Sequence, residues 1–480
     1  MRGHPDPSDT GPEPDHHAGP DRASSVGHTA HRCADADGPE PDPAGAVRTP
    51  TVATQLPGWS PVPGVLPVRP GAVSMAPGPD GGLYILADGP GNGAVLTLLD
   101  VLGRPRAGWP IALVGWSNCS ESDWPRSPVA AADGSVRLVC SAGWTSRSRA
   151  FAFDRSGRSL AGWPVDLPGD VIGWTSRVVD DRLVVVARGA GEANPATGES
   201  SVAWRLVSVA ADGTLRVGRR YEEPPGRGGG FPHIGPDGIA YQVAYPGDRT
   251  EVMAFDLDGA RAGWPVRVDS YFSGFAFGPP GRLYVIEATT DPTSTRTLVF
   301  DLDGRALPFG SAALPIEALG AWSGAGPGEP AVVVAPDGAA FLLSDAGYET
   351  TVYGLDPSGR IMAGWPYHAT AGLQWQGECP GMVTGCGVWL SIPAVGPGDV
   401  LCLLRAGGSL VAIGPDGKVR AGWPVVLTRP RAEFWSVVVG SDRTAFALAI
   451  EPEAGGGSSA TVLAIGPDGQ VRYRTTVLDP

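Results

Sequence analysis

The sequence has 480 residues and a formal net charge of -14, from 36 basic and 50 acidic side chains. Its 70 Gly and 49 Pro residues approach the level of low-complexity chains, but 15 Trp, 12 Phe and 10 Tyr indicate a buried core. An acidic chain without a Lys/Arg block is not predicted to bind nucleic acid, and no apolar run is long enough to span a membrane.

Residues 1–55 are predicted to form a disordered tail, rich in Pro, Asp, Gly and His. The segment contains no Phe, Trp or Tyr, so it cannot bury enough apolar surface to offset the entropy of ordering. Five of the seven histidines lie here, but no second ligand pair is spaced to close a tetrahedral zinc site. We therefore predict no metal. The N-terminus has no apolar h-region, so no secretory signal is predicted.

From residue 56 onward the chain repeats two patterns. Ala-Gly-Trp-Pro recurs after Asp-Gly-like turns, with its tryptophan at Trp109, Trp163, Trp264, Trp365 and Trp423. Three more copies keep the turn without Gly-Trp-Pro, at 209–218, 300–310 and 465–474. Between them lie eight apolar segments with a central turn, at 73–86, 128–139, 176–187, 231–243, 274–286, 331–343, 392–404 and 436–448. Both patterns predict β-hairpins, so each repeat predicts four antiparallel strands.

Eight such repeats predict an all-β fold, a single β-propeller of eight four-stranded blades over residues 56–480. The segment 57–67 is predicted to pack against the last blade and help to close the ring. Each Trp of Gly-Trp-Pro is predicted to begin an outermost strand and to fill the gap between blades, while the Gly before it permits close backbone approach. These tryptophans are therefore assigned to the core. Separately, the chain is expected to be a monomer.

Segments such as VYGLDPSGRIMAGWP (352–366) and LVAIGPDGKVRAGWP (410–424) resemble the repeats of the quinoprotein-dehydrogenase-like propellers. That superfamily includes pyrroloquinoline quinone enzymes and many non-catalytic propellers. The resemblance covers roughly residues 60–480 and implies an eight-bladed ring with a ligand site at its central end. The related dehydrogenases have adjacent cysteines or a Glu-Asn-Asp calcium set, whereas this chain has no Cys-Cys pair. No quinone or other cofactor is therefore predicted.

The long connections between second and third strands, and from each blade to the next, are predicted to share one face, here called the long-loop face. Variable loops on a rigid scaffold carry function, so this is the predicted working face. Aromatic, Arg and His residues gather where these connections enter the innermost strands. The predicted ligand-binding residues are Trp124, Arg126, Trp174, Arg177, Phe231, His233, Phe272, Trp322, Trp389 and Trp435. Such rings near hydroxyls suit a carbohydrate or another extended polar ligand, or else they pack together and seal the channel.

The chain has no Gly-x-Ser-x-Gly nucleophile motif and no recognisable cofactor set. We therefore predict a non-catalytic propeller that binds a ligand, with a carbohydrate or a protein as the partner. The alternatives are a carbohydrate-active lyase or hydrolase, with carboxylates supplied by separate blades, and a quinone-dependent dehydrogenase.

Two disulfides are predicted. Cys379 and Cys386 share one loop, and Cys119 lies in the loop before the hairpin that contains Cys140. Cys402 lies among leucines and is predicted to be a buried free thiol. Disulfides favour an extracytoplasmic, oxidising compartment, whereas the absence of a secretory signal favours the opposite, so both compartments stay open.

Overall fold

A computed structural model of the chain describes 21 stretches of the sequence. They are residues 73–89, 93–116, 119, 128–141, 148–193, 200–222, 232–244, 250–268, 272–278, 281–288, 294–310, 314–315, 332–345, 350–369, 375–376, 389–390, 394–398, 400–405, 408–428, 432–452 and 458–478. These residues form strands and turns without any helix. A helix able to cross a membrane is therefore not found in them.

The first four blades contain strands β1 to β18. Blade 1 consists of β1 (Val73–Pro77), β2 (Leu83–Gly89), β3 (Gly93–Leu99) and β4 (Ile111–Leu113). Blade 2 consists of β5 (Val129–Ala130), β6 (Val136–Ser141), β7 (Ser148–Phe153) and β8 (Val165–Leu167). Blade 3 consists of β9 (Asp170–Val179), β10 (Arg182–Ala193), β11 (Ser200–Val209), β12 (Leu215–Val217) and β13 (Tyr221–Glu222). Blade 4 consists of β14 (His233–Ile234), β15 (Ala240–Ala244), β16 (Thr250–Asp256), β17 (Gly259–Ala260) and β18 (Val266–Val268).

The other four blades contain the remaining strands, except for one separate pair. Blade 5 consists of β19 (Phe272–Gly278), β20 (Arg282–Ala288), β21 (Ser294–Asp301) and β22 (Leu314–Pro315). Blade 6 consists of β23 (Val332–Val334), β24 (Ala340–Asp345), β25 (Thr350–Leu355) and β26 (Tyr367–Ala369). Blade 7 consists of β29 (Ala394–Gly396), β30 (Val400–Arg405), β31 (Ser409–Ile413) and β32 (Val425–Val426). Blade 8 consists of β33 (Glu433–Val439), β34 (Ala445–Pro452), β35 (Ser458–Ile465) and β36 (Val471–Leu478), and the separate pair is β27 (Trp375–Gln376) with β28 (Trp389–Leu390).

Every blade is an antiparallel sheet whose strands pair in chain order from the innermost to the outermost. In blades 3 and 4 the outermost position is split, because β12 and β13 both pair with β11, and β17 and β18 both pair with β16. The predicted all-β fold, one propeller of eight four-stranded blades, is thereby confirmed. The blades lie within the compact unit Pro50–Pro480. The predicted tail and the segment 57–67 lie outside the described residues, so the boundary at residue 55 stays a prediction.

The hydrophobic core lies between the blades. The described residues form eight buried apolar clusters, and each cluster joins two neighbouring blades. One of them joins the last blade to the first, with Phe446 and Tyr473 packed against Val73 and Leu83. This arrangement follows from the strands, which alternate buried side chains between their two faces and so present an apolar surface to both neighbours.

The Gly-Trp-Pro copies connect each of their blades to the next. All five tryptophans are at least nine-tenths buried or pack against a core cluster, and each indole N–H donates to a carbonyl of the third-to-fourth-strand turn of the following blade. The acceptors are Arg155, Ala211, Leu302, Pro415 and Pro467, at 3.0 to 3.4 Å. The predicted role of these tryptophans in the core is thereby observed. The outermost strand starts two residues later than predicted, at Ile111 after Trp109 for example, because the intervening Pro has no N–H to pair.

The three blades without Gly-Trp-Pro make the same connection with other donors. Arg219 N donates to Leu257 O at 2.9 Å, and Gly310 N donates to Ser358 O at 2.8 Å. In blade 8, Thr475 Oγ1 donates to Gly103 O of blade 1 at 2.9 Å. Each of the eight blades is therefore hydrogen-bonded to the turn between the third and fourth strands of its neighbour. We call this contact the blade latch.

Candidate functional site

The predicted ligand-binding residues are described to different extents. Four of them lie outside the described residues: Trp124, Arg126, Phe231 and Trp322. Three are placed by their backbone alone, in β9 (Trp174), β19 (Phe272) and β28 (Trp389). Trp389 pairs with Gln376 in the separate hairpin and so does not enter an innermost strand as predicted. Arg177, His233 and Trp435 are described with their side chains, and all three lie on innermost strands of blades 3, 4 and 8.

Three innermost strands differ from the other five. β9, β19 and β33 have 10, 7 and 7 residues, whereas the other innermost strands have two to five. Each of the three also carries a register shift in its pairing with the second strand. These are the innermost strands of blades 3, 5 and 8, the blades without Gly-Trp-Pro.

The three bulges lie in the half of the strand that comes from the long-loop face. In β33 the inserted residue is Trp435, between Phe434 and Ser436. In β19 it follows Phe272, and in β9 it spans Gly173–Ser176, which includes Trp174. A bulge bends its strand and changes the direction of the inserted side chain, and bulges are common beside active sites. Three of the predicted aromatic residues thus lie at or next to bulges on one face.

Two titratable groups lie on adjacent innermost strands, β9 and β14. Burial lowers the pKa of His233 to about 4, so its imidazole is neutral at pH 7. Arg177 is exposed, but the protein surrounding it lowers the pKa of its guanidinium, while the carboxylate of Asp237 acts in the opposite direction. A neutral imidazole can donate one hydrogen bond and accept another, and a guanidinium donates only, so the pair offers both kinds of contact to a polar ligand.

Trp435 packs against the core cluster between blades 8 and 1. This contact agrees with the alternative in which an aromatic ring packs within the protein, and it does not test the ligand-binding set as a whole. That set stays a prediction.

The described residues contain no group of three or more His, Cys, Asp or Glu side chains that could hold a metal ion. Three cysteines lie among them. Cys119 and Cys140 form the predicted disulfide, with Cα atoms 4.2 Å apart. Cys402 is a buried free cysteine as predicted, and burial raises the pKa of its thiol to about 12. The predicted Cys379–Cys386 pair lies outside the described residues.

The chain was compared with known protein families, curated proteins and solved structures. No protein-family model matches the sequence, and the search for curated relatives gives no match. Among solved structures, a puromycin hydrolase is 16% identical over 85% of this chain and 62% of its own, with a TM-score of 0.40. Dipeptidyl peptidase 4 of Porphyromonas gingivalis is 12% identical over 85% of this chain and 60% of its own, with a TM-score of 0.42. A quinonprotein alcohol dehydrogenase-like protein of Bacteroides thetaiotaomicron is 9% identical over 78% of this chain and 86% of its own, with a TM-score of 0.34.

The chain spans about three fifths of the length of the puromycin hydrolase and of the peptidase. The eight-bladed architecture that the predicted resemblance implied is observed in the described sheets. No family match assigns the repeats themselves to the quinoprotein-dehydrogenase-like superfamily. The predicted non-catalytic binding role is corrected, because the similar structures include enzymes named as a hydrolase and a peptidase.

Proposed function

We propose that this chain is a hydrolase-type propeller whose substrate is bound at the long-loop face, between the bulged innermost strands of blades 3, 5 and 8. The observation that carries the proposal is the position of the three bulges, all on the same face and all beside a predicted aromatic residue. The reaction class is that of the puromycin hydrolase and the peptidase named above, with which the chain shares the fold alone.

The proposed site combines flat aromatic surfaces with polar groups on neighbouring strands. Trp174, Phe272 and Trp435 are assigned to contact the apolar part of the substrate, as large rings supply contact area at low entropic cost. His233 and Arg177 are assigned to its polar part, deeper along β14 and β9 towards the tight turns. The neutral imidazole can hydrogen-bond an amide or an ester group, and the guanidinium stabilises negative charge that develops on the carbonyl oxygen during hydrolysis.

The test is a hydrolysis assay of the purified full chain with chromogenic amino-acid amides, dipeptide amides and esters. The proposal predicts turnover of at least one of these classes. His233→Gln should lower kcat/KM by roughly tenfold or more, the usual effect of losing a hydrogen bond to a reacting group. Trp174→Ala should mainly raise KM, because it removes binding area that the substrate contacts before and during reaction.

His368→Gln is the matched control, because His368 is an exposed histidine on β26, the outermost strand of blade 6. Its kcat/KM should equal that of the unmodified chain. Thermal melting of every variant separates loss of activity from loss of folding. Absence of turnover for all three substrate classes, or equal losses in His233→Gln and His368→Gln, would overturn the proposal.

A further inference from the structure

A recess of about 150 Å³ lies outside the proposed substrate site, where blade 2 is followed by blade 3. Pro168 and Gly169, which connect β8 to β9, form one side of it. Ala187, Gly189 and Ala203, on β10 and β11, also line it. The connection from blade 2 to blade 3, which contains Pro168 and Gly169, belongs to the long-loop face. The recess therefore lies on that face.

Three arginines line this recess. Arg188 is opposite Trp204 in the pairing of β10 with β11, so its side chain lies on the other face of the sheet from that of Arg205. Arg205 follows Ala203 by two residues on β11, and Arg220 lies just before β13, two residues ahead of Glu222. Ala203 pairs directly with Glu222, and strand side chains alternate between faces, so Arg205 and Arg220 both lie on the face of that pair.

The guanidinium groups of Arg205 and Arg220 differ in their contacts with the described residues. Arg220 pairs with Glu222 at 3.0 Å. The guanidinium of Arg205 makes no hydrogen bond or ion pair with any residue that the structure describes. Like charges on facing strands repel, so the guanidinium groups of Arg205 and Arg220 together favour a negatively charged ligand between them.

The small residues keep the recess open. A Cβ atom added at Gly189 would meet no atom within 4 Å, so a side chain there would occupy empty space. Ala187 and Ala203 are both buried and contribute only methyl groups. The volume is below the range of drug-sized ligand pockets and suits a single small group.

We propose that this recess binds an oxyanion, a carboxylate or a phosphate group, between the guanidinium groups of Arg205 and Arg220. A planar guanidinium fork matches two oxygens of either group and forms charge-assisted hydrogen bonds with them. The anion would lower the repulsion between the two guanidinium groups. The inference goes beyond the hydrolase proposal and does not depend on it, because it concerns binding on different strands.

The test is isothermal titration of the full chain with inorganic phosphate, with acetate and with a short acidic peptide, each at constant ionic strength in chloride. Binding of phosphate or of the carboxylate probes above chloride is expected. Arg205→Gln should weaken it roughly tenfold to hundredfold, the usual range for a lost charge-assisted hydrogen bond. Gly189→Val should abolish it by filling the recess while leaving both charges in place.

Arg219→Gln is the matched control, since this arginine is exposed and adjacent to Arg220 but does not line the recess. It should bind the probes as the unmodified chain does. Tighter binding of phosphate would assign a phosphorylated ligand, and tighter binding of acetate and the acidic peptide would assign a carboxylate; either result supports the site. No binding above chloride, or equal weakening in Arg219→Gln, would overturn it. Failure of hydrolysis with retained anion binding would reject the proposed function alone.

Discussion

Gly162 and Gly189 show that two glycines of the same protein serve different physical purposes. A Cβ at Gly162, in the second Gly-Trp-Pro copy, would lie 1.9 Å from the carbonyl oxygen of Asp212 in blade 3. Its backbone φ is also +79°, where a residue with a Cβ is strained. A Cβ at Gly189 would meet no atom within 4 Å.

Gly162→Ala should therefore lower the free energy of unfolding by about 2–4 kcal/mol, from backbone strain and from overpacking at the blade latch. Gly189→Ala should change it by less than about 0.5 kcal/mol. Chemical denaturation or calorimetry of the two variants measures both values. Equal stability of the two alanine variants would show that blades 2 and 3 do not approach each other as described.

His233 makes the stability of the protein depend on pH. Burial lowers its pKa from 6.5 to about 4, so the unfolded chain takes up a proton below about pH 6.5 while the folded chain does not. Stability from this group is complete above pH 6.5 and decreases as the pH falls towards 4, by at most about 1.4 kcal/mol per pH unit.

The difference between the unmodified chain and His233→Gln isolates this contribution from the carboxylates that titrate in the same range. Unfolding of both proteins between pH 7 and pH 4 should show a smaller loss of stability for the variant. His368→Gln, at an exposed position, should follow the unmodified chain. A His233→Gln curve parallel to that of the unmodified chain would contradict the burial of this imidazole.

At the scale of the element, the disulfide joins the connection after β4 to the second strand of blade 2. Cys119 and Cys140 are 21 residues apart, so reduction should lower the free energy of unfolding by about 3 kcal/mol.

Alkylation of the unreduced protein after unfolding should leave this pair unlabelled and label Cys402. Without unfolding, Cys402 should resist alkylation, because it is buried and its thiol pKa is raised to about 12. Label on Cys119 in the unreduced protein would contradict the bond.

Five of the eight blade latches could be predicted from the sequence. Gly-Trp-Pro is a repeated motif, and an indole beside a Pro at a strand start predicts a contact with the neighbouring blade. The latch donors of the three blades without Gly-Trp-Pro could not be predicted in the same way. Two of them are backbone donors, from Arg219 and Gly310, which any residue type provides, and the third is one hydroxyl, that of Thr475.

Of the two candidate sites, the sequence could predict the aromatic one but not the arginine recess. Aromatic residues at strand starts are visible in the sequence, and the structure adds that three of them lie at or beside bulges, which depend on pairing register. The arginine recess was missed, because Arg205 and Arg220 belong to no motif. They become neighbours only because β13 returns to pair with β11 in register, with Tyr221 opposite Trp204.

At the scale of the molecule, every blade is made from one continuous segment. Among the described residues, blade 1 begins at Val73 and blade 8 ends at Leu478, and no described strand of one belongs to the sheet of the other. The ring closes through side-chain packing of Phe446 and Tyr473 against blade 1 and through the Thr475 latch. The closing interface therefore uses the same two kinds of contact, an apolar cluster and a latch, as the other seven interfaces.

The central claim is an eight-bladed ring with a latch at every interface and its ligand sites on the long-loop face. A crystal structure of the full chain grown with phosphate tests it most directly. We expect eight blades, the Thr475 Oγ1 to Gly103 O hydrogen bond between blades 8 and 1, and phosphate between Arg205 and Arg220. A different number of blades, a strand exchanged between blades 8 and 1, or phosphate bound only on the face of the tight turns would contradict it.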